Sequence, residues 1–230
     1  MNERPILFSG AMVRAILEGR KTVTRRAVKG GQVPAVDPNA SVDGMRWSAI
    51  GQRHPRYGFC VFGSTEEECA RELGLLGVCP YGKPGDRLWV RESTEADYDT
   101  HDAVVLARYC ADKAPVMYWD EDDGELFQAV DHWSYPRDVR PSIHMTRAQA
   151  RILLEITAVR VERLQDISEE QAKAEGAPME LAELERTVLG AVATYRAGFA
   201  RLWQSINGAE SWSANPWVWV VEFKRVMPVS

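Results

Sequence analysis

Apolar positions cluster as short extended runs near both ends of the chain and recur at helical spacing in between. Pro5-Ile6-Leu7-Phe8 is a short apolar strand candidate, and Ser9 is suited to cap the helix that follows. That helix is expected over Ala11 to Glu18, where Met12 and Ile16 stand four apart beside Val13 and Leu17, and Gly19 sits where a helix C′ glycine belongs. Residues 29–84 are punctuated by Gly30, Gly31, Pro34, Pro38, Gly44, Gly51, Pro55, Gly58 and Gly63. They read as an irregular, partly looped insertion holding one short acidic helix, Thr65 to Leu73. Gly85-Asp86 marks a turn into the strand Arg87 to Glu92. Val104 to Cys110 and Val116 to Trp119 are further strand candidates, and Asp120 to Gly124 looks like a hairpin tip. Residues 131–143 are loop-like and carry Trp133 and Tyr135, and His144 to Arg147 opens the next element.

The second half is more strongly patterned. Ile152 to Leu164 is the strongest strand, rich in β-type residues. Ser168-Glu169-Glu170-Gln171 is a capping-box pattern that predicts a short helix to Glu175, stopped by Gly176. A second helix is expected from Pro178 through Leu181 to about Leu189, and a third from Thr194 to Ile206. Phe199, Leu202, Trp203 and Ile206 share one face of the third. Trp217 to Val226 is a terminal strand whose continuous apolar run predicts burial on both faces. Strands at both ends with helices between them make the chain α+β. The preferred architecture is a small mixed β-barrel with flanking helices and a large loop-rich insertion, its first and last strands neighbours in one sheet.

Composition narrows the function. No apolar run approaches the roughly 18–20 residues of a membrane span, and the N-terminus lacks a basic region followed by an apolar one. A cytoplasmic protein without a membrane partner is therefore expected. The net charge of −5 argues against broad duplex binding, which relies on neutralising many phosphates. The basic residues are uneven, however: Arg14, Arg20, Lys21, Arg25, Arg26 and Lys29 crowd the first thirty positions. This crowding reads either as an anionic-ligand face or as a solvated helix end. Cys60, Cys69, Cys79 and Cys110 fit no common zinc spacing and read as reduced thiols. Cys60, Cys69, Cys79 and His54 are the only ligands a metal could use, and no metal or other cofactor is expected.

Four polar residues at three places in the chain carry candidate chemistry. Lys21 and Thr24 stand three apart after Gly19. They could form a hydroxyl–amine pair in which a neutral amine accepts the hydroxyl proton, or simply be surface residues. An odd spacing in a regular strand puts them on opposite faces, so a shared pocket requires the backbone to turn between them. Glu175 ends a helix, where an acid opposes the macrodipole, so either function or chance put it there. Glu92 leaves the end of a strand and suits either a general base or a salt bridge. Trp203 and Trp219 read as core, whereas Trp212, in a polar loop before Asn215-Pro216, is the best candidate for stacking on a base.

The stretch Gly19-Arg20-Lys21-Thr22-Val23-Thr24-Arg25-Arg26 resembles the signature of the ASCH family, Gly-x-Lys-x-x-Thr-x-Arg after a first helix. Gly85-Asp86-Arg87-Leu88-Trp89-Val90, the segment Ile156 to Leu164 with Ile167 to Gly176, and Val220-Val221-Glu222-Phe223-Lys224 look like further family elements in the family's order. The likeness covers roughly half the chain. It implies one PUA-like domain over 1–230 with insertions at approximately 27–83 and 93–150, similar to longer members encoded in phages and prophages. It also implies a nucleoside or single-stranded RNA ligand. Small bacterial members are amidohydrolases that remove the acetyl group of N4-acetylcytidine, and their catalytic lysine, threonine and glutamate fall on Lys21, Thr24 and Glu175. Arg26 matches the signature arginine, and Arg25, beside it, would add charge to the ligand site. The expected activity is hydrolysis of an acylated nucleobase amide, against a non-catalytic RNA or modified-base reader and a single-strand ribonuclease.

Overall fold

Thirteen strands and four α-helices appear in a computed structural model, which describes residues 1–38, 40, 45–52, 58–122, 125–181 and 192–226. Chain contacts divide into two compact units, each assembled from separate stretches of sequence. One unit comprises Met1–Gly19, Arg87–Glu155 and the end of the chain from Arg225; the other comprises Arg20–Asp86 and Ile156–Lys224.

The first unit begins with β1 (Glu3–Leu7) and α1 (Gly10–Leu17). The Ser9 side chain caps α1 by accepting from the Met12 amide, as its position in the sequence predicts. The helix buries Val13, Ala15 and Ile16. β1 runs parallel to β6 (Arg87–Arg91), pairing Glu3 with Arg87 and Leu7 with Arg91. On its other side β6 takes the first three residues of β12 (Leu153–Arg163) in antiparallel register. A three-stranded antiparallel sheet joins β7 (Thr94–Asp97), β8 (Leu106–Tyr109) and β11 (Val139–Arg140), with β7 in the centre. Ala107, Tyr109, Val116 and Met145 form its buried core, with Trp133 packed at the margin. β9 (Met117–Asp122) and β10 (Glu125–Val130) make the hairpin foreseen from the acidic stretch, although its strands extend through Asp122 and Glu125.

In the second unit, β2 (Val23–Ala27), β13 (Trp217–Val226) and the remainder of β12 lie side by side in the order β12–β13–β2. Trp217 to Val221 are all buried, which explains why that strand reads as a continuous apolar run rather than an alternating one. Val23, Val218 and Val220 pack beneath α3 (Glu169–Ala174) and α4 (Tyr195–Asn207), against Ala172, Phe199 and Trp203. A further small sheet, β3 (Ala35–Val36), β4 (Trp47–Ile50) and β5 (Cys60–Gly63), packs on α2 (Glu66–Leu76).

Several expectations need correction. The α+β class holds, but the strand pairings of the described residues close no barrel. β1 pairs with β6 and not with the last strand, because the Gly85-Asp86 turn leads β6 back beside it: Arg87 donates its amide to the Asn2 carbonyl at 2.8 Å. The stretch 29–84 holds a three-stranded sheet besides its acidic helix. On α4, Phe199 and Trp203 are buried, but Leu202 is half-buried and Ile206 is 53% exposed, so the core contact is one helical turn and not two. Pro178 to Leu181 is not helical: Glu180 bridges Thr194, and the rest of the expected second helix lies outside the described residues. No helix among the described residues is long and apolar enough to cross a membrane.

Candidate functional site

The clearest concentration of buried charge lies in the second unit, where β2 meets the C-terminal end of α3. Both halves of the Ser168/Gln171 capping box form, which fixes the start of α3. Glu175 is its C-cap, and Gly176 follows with φ of 77°, a conformation that favours glycine. The segment entering β2 is tied to this helix end by the Thr22 amide, which donates to the Ala174 carbonyl at 2.9 Å. Lys21 is thereby carried under the helix and is only 2% exposed. Its ammonium donates to the Glu175 carboxylate at 2.6 Å, the Val23 carbonyl at 2.8 Å and the Glu175 carbonyl at 2.9 Å.

These acceptors match the three N–H groups of a charged lysine. Burial pulls the amine below its usual range, the charge and hydrogen bond of Glu175 pull it back up, and Arg26 and Arg25 push it down again. The geometry favours the protonated form, since a neutral amine would turn its lone pair towards an oxygen. The same contact accounts for an acid at a helix C-terminus: Lys21 places a cation on the last carbonyls, offsetting the unfavourable dipole there.

Arg25 extends the network. It is 3% exposed, donates to the second Glu175 oxygen at 3.2 Å, to Glu162 at 2.5 Å and to Gln171 at 2.9 Å, and lies 5.9 Å from the Phe199 ring centre. Its Nε is buried without a hydrogen-bond partner. Lys21 and Arg25 are thus balanced by Glu175 and Glu162, and Arg160 joins from the outer side through Glu162 and Glu222.

Thr24 is also buried. Val23 and Ala27 face the core beneath α3 and α4, and Arg25 faces the same helices, so strand alternation puts the Thr24 and Arg26 side chains on the opposite face of β2. The Lys21 amine bonds the carbonyl of the peptide group that joins Val23 to Thr24, so it approaches Thr24 through the backbone. Arg26 is half-buried. Trp212 is half-buried as well: its ring meets Phe199 edge-on at 6.2 Å, and the Arg196 guanidinium lies 5.5 Å from its centre. Its position is that of a ring at the margin of the core under α4.

Glu92 belongs to the first unit and makes a different cluster. It is 1% exposed and is clamped by Arg151, whose Nε and Nη2 reach its two oxygens at 3.1 and 2.8 Å. The same guanidinium holds both oxygens of Asp112 at 2.9 Å and stacks on the Tyr109 ring, 3.7 Å from its centre. Burial raises the Glu92 carboxyl, only partly offset by Arg151. Burial also raises the Tyr109 phenol. Of the two positions considered for Glu92, this is the salt-bridge one.

For a metal, Cys60 is exposed, Cys69 and Cys79 are buried, and His54 lies outside the described residues. Burial pushes the Cys69 thiol up to about 11, away from the thiolate a metal needs. Glu162 and Gln171 belong to the Lys21 network but were not expected there. Gln171 was visible as a capping residue, and its amide oxygen serves Ser168 and Arg25 together. No family model, curated protein or solved structure matches this chain.

Proposed function

We propose that the chain is an ASCH-type protein of PUA-like fold that takes a nucleoside or RNA-type ligand and hydrolyses an acylated nucleobase amide such as N4-acetylcytidine. One observation carries the reading. Lys21 and Glu175, matched to the family's catalytic lysine and glutamate from two motifs 154 residues apart, are in direct contact at 2.6 Å. Burying such a pair is costly, and apolar side chains would hold β2 to α3 as well or better, so a role beyond packing explains its presence.

In this reading a water adds to the acyl carbon, and the carbonyl oxygen becomes an oxyanion. The Lys21 ammonium, turning one N–H from a protein oxygen to the ligand, stabilises that charge as it develops. Glu175 takes the proton of the attacking water and returns it to the base nitrogen as the carbon–nitrogen bond breaks, leaving acetate and cytidine. Thr24 projects from the face of β2 opposite Arg25 and Glu175, so it acts on this site only through the Val23–Thr24 peptide group that Lys21 binds. Arg25 keeps Glu175 turned towards Lys21, and Arg26 offers charge to an anionic part of the ligand.

Incubation with N4-acetylcytidine should release cytidine, and Glu175→Gln or Lys21→Met should abolish the release while circular dichroism shows the fold kept. Wild-type protein that yields no cytidine, or variants as active as wild type, would refute the hydrolase. The closed bonding of the amine favours a second reading, a non-catalytic reader of a modified base. It predicts N4-acetylcytidine binding without turnover.

A further inference from the structure

A second polar site lies in the first unit, on the three-stranded sheet β11–β7–β8. Arg140 on β11 stands opposite Thr94 on β7, and Thr94 stands opposite Tyr109 on β8, so the three side chains form one row on the core side of the sheet. Arg140 is 8% exposed, and its guanidinium lies 5.2 Å from the ring centre of Trp133 and 5.5 Å from that of Tyr135. The exposed His144 adds its ring beside Tyr135, at 5.8 Å between centres. Among the described residues no carboxylate pairs with Arg140, although every other strongly buried cation, Lys21 and Arg25, has one. Next to it the Thr94 hydroxyl, on a residue 1% exposed, is buried with no hydrogen-bond partner. A buried cation without an anion and a buried hydroxyl without a partner are each unfavourable. Side by side and next to two half-buried rings, they are donors that no protein carboxylate among the described residues uses and that an anion would satisfy.

We propose that Arg140 and Thr94 form a phosphate-binding site for a nucleotide ligand, with the ring edges of Trp133 and Tyr135 accommodating the base. The planar guanidinium offers two parallel N–H donors to two phosphate oxygens, and the threonine hydroxyl donates to a third position. The rings hold the guanidinium in its plane and supply apolar surface for a heterocycle. The site uses none of Lys21, Thr24 and Glu175, so it stands whether or not those residues hydrolyse an amide.

Titration calorimetry at low salt with cytidine 5′-monophosphate, inorganic phosphate and cytidine tests the proposal. The monophosphate is expected to bind, inorganic phosphate to bind more weakly, and cytidine not at all. Inorganic phosphate binding as tightly as the nucleotide would keep the anion site and assign it to free phosphate. Arg140→Lys removes the two-pronged contact and should weaken nucleotide binding by roughly tenfold or more. Thr94→Val keeps the side-chain shape, so it should leave the melting temperature equal or higher, because an unsatisfied hydroxyl is gone, yet weaken the nucleotide several-fold. No binding of the monophosphate at millimolar concentration, cytidine binding equal to it, or unchanged affinity in Thr94→Val and Arg140→Lys would overturn the site.

Discussion

Glu175→Gln is the sharpest perturbation of the buried charge network. The replacement keeps the side-chain volume, so no cavity is made and the effect is electrostatic. Removing the carboxylate leaves the ammonium of Lys21, 2% exposed, beside a neutral amide. Stripping one partner from a buried pair costs about 3–5 kcal/mol. The Val23 and Glu175 carbonyls still accept from the amine, and Arg25 retains Glu162 and Gln171, which puts the expected loss near the low end, about 3 kcal/mol. The sign with pH is fixed. Burial already sets the Lys21 amine below the 10.5 of an exposed lysine, and without Glu175 it falls further. The unfolded chain then binds the extra proton throughout that interval. Stability of the variant therefore rises with pH from the lowered value up to 10.5, and its deficit is fully present only below that value. Urea unfolding of wild type and variant at pH 7 and at pH 9.5 measures both. Pairing Lys21→Met with Glu175→Leu should recover most of the loss, since apolar replacements relieve both desolvated charges. A deficit below about 1 kcal/mol at pH 7, or one that grows with pH, would refute a desolvated ion pair at this position.

Other consequences are equally direct. Arg151→Met strips the clamp from Glu92 and should cost about 3 kcal/mol at pH 8. Because the Glu92 carboxyl is raised above 4.5, that loss should shrink as pH falls through its raised value towards 4.5, and a thermal-melt deficit independent of pH contradicts the assignment. Ser168→Ala removes the accepting half of the capping box and should lower stability by about 1 kcal/mol in urea unfolding, with no change meaning that α3 does not depend on its cap. Gly198→Ala on α4 drives a Cβ into the Pro178 carbonyl oxygen, a backbone atom with no freedom to swing aside. It should destabilise by more than about 2 kcal/mol, well beyond the small gain that alanine brings to an open helix, and a more stable variant would overturn that close approach.

Elements whose sequence carries its own boundary signals were legible. Ser9, the Ser168/Gln171 box and Thr194 each cap the helix they announce, and β13 begins and ends where its apolar run does. The small sheet of β3, β4 and β5 was not, since strands of two to four residues separated by glycine and proline give no period to read. Closure of a barrel also lies beyond local pattern, because strand partners such as β1 and β6 are chosen by contacts more than eighty residues apart. Lys21 and Glu175 stood out locally as separate candidates, but only the family resemblance joined them in one set, and nothing in their own neighbourhoods announced their contact. Arg25 was seen only as added charge, yet it is the residue that joins Glu162, Gln171 and Glu175. Glu92 was read with two outcomes, and the partner that decides between them, Arg151, lies 59 residues away.

The central claim is that the Lys21 ammonium, held by Glu175, meets the ligand. Proton–nitrogen NMR of lysine-labelled protein reports on it directly, because a buried ammonium exchanges slowly enough to be observed. One protected ammonium signal, absent in Lys21→Met, should move when N4-acetylcytidine is added in excess and return when the ligand is removed. A signal that stays in place at saturating N4-acetylcytidine would contradict the account.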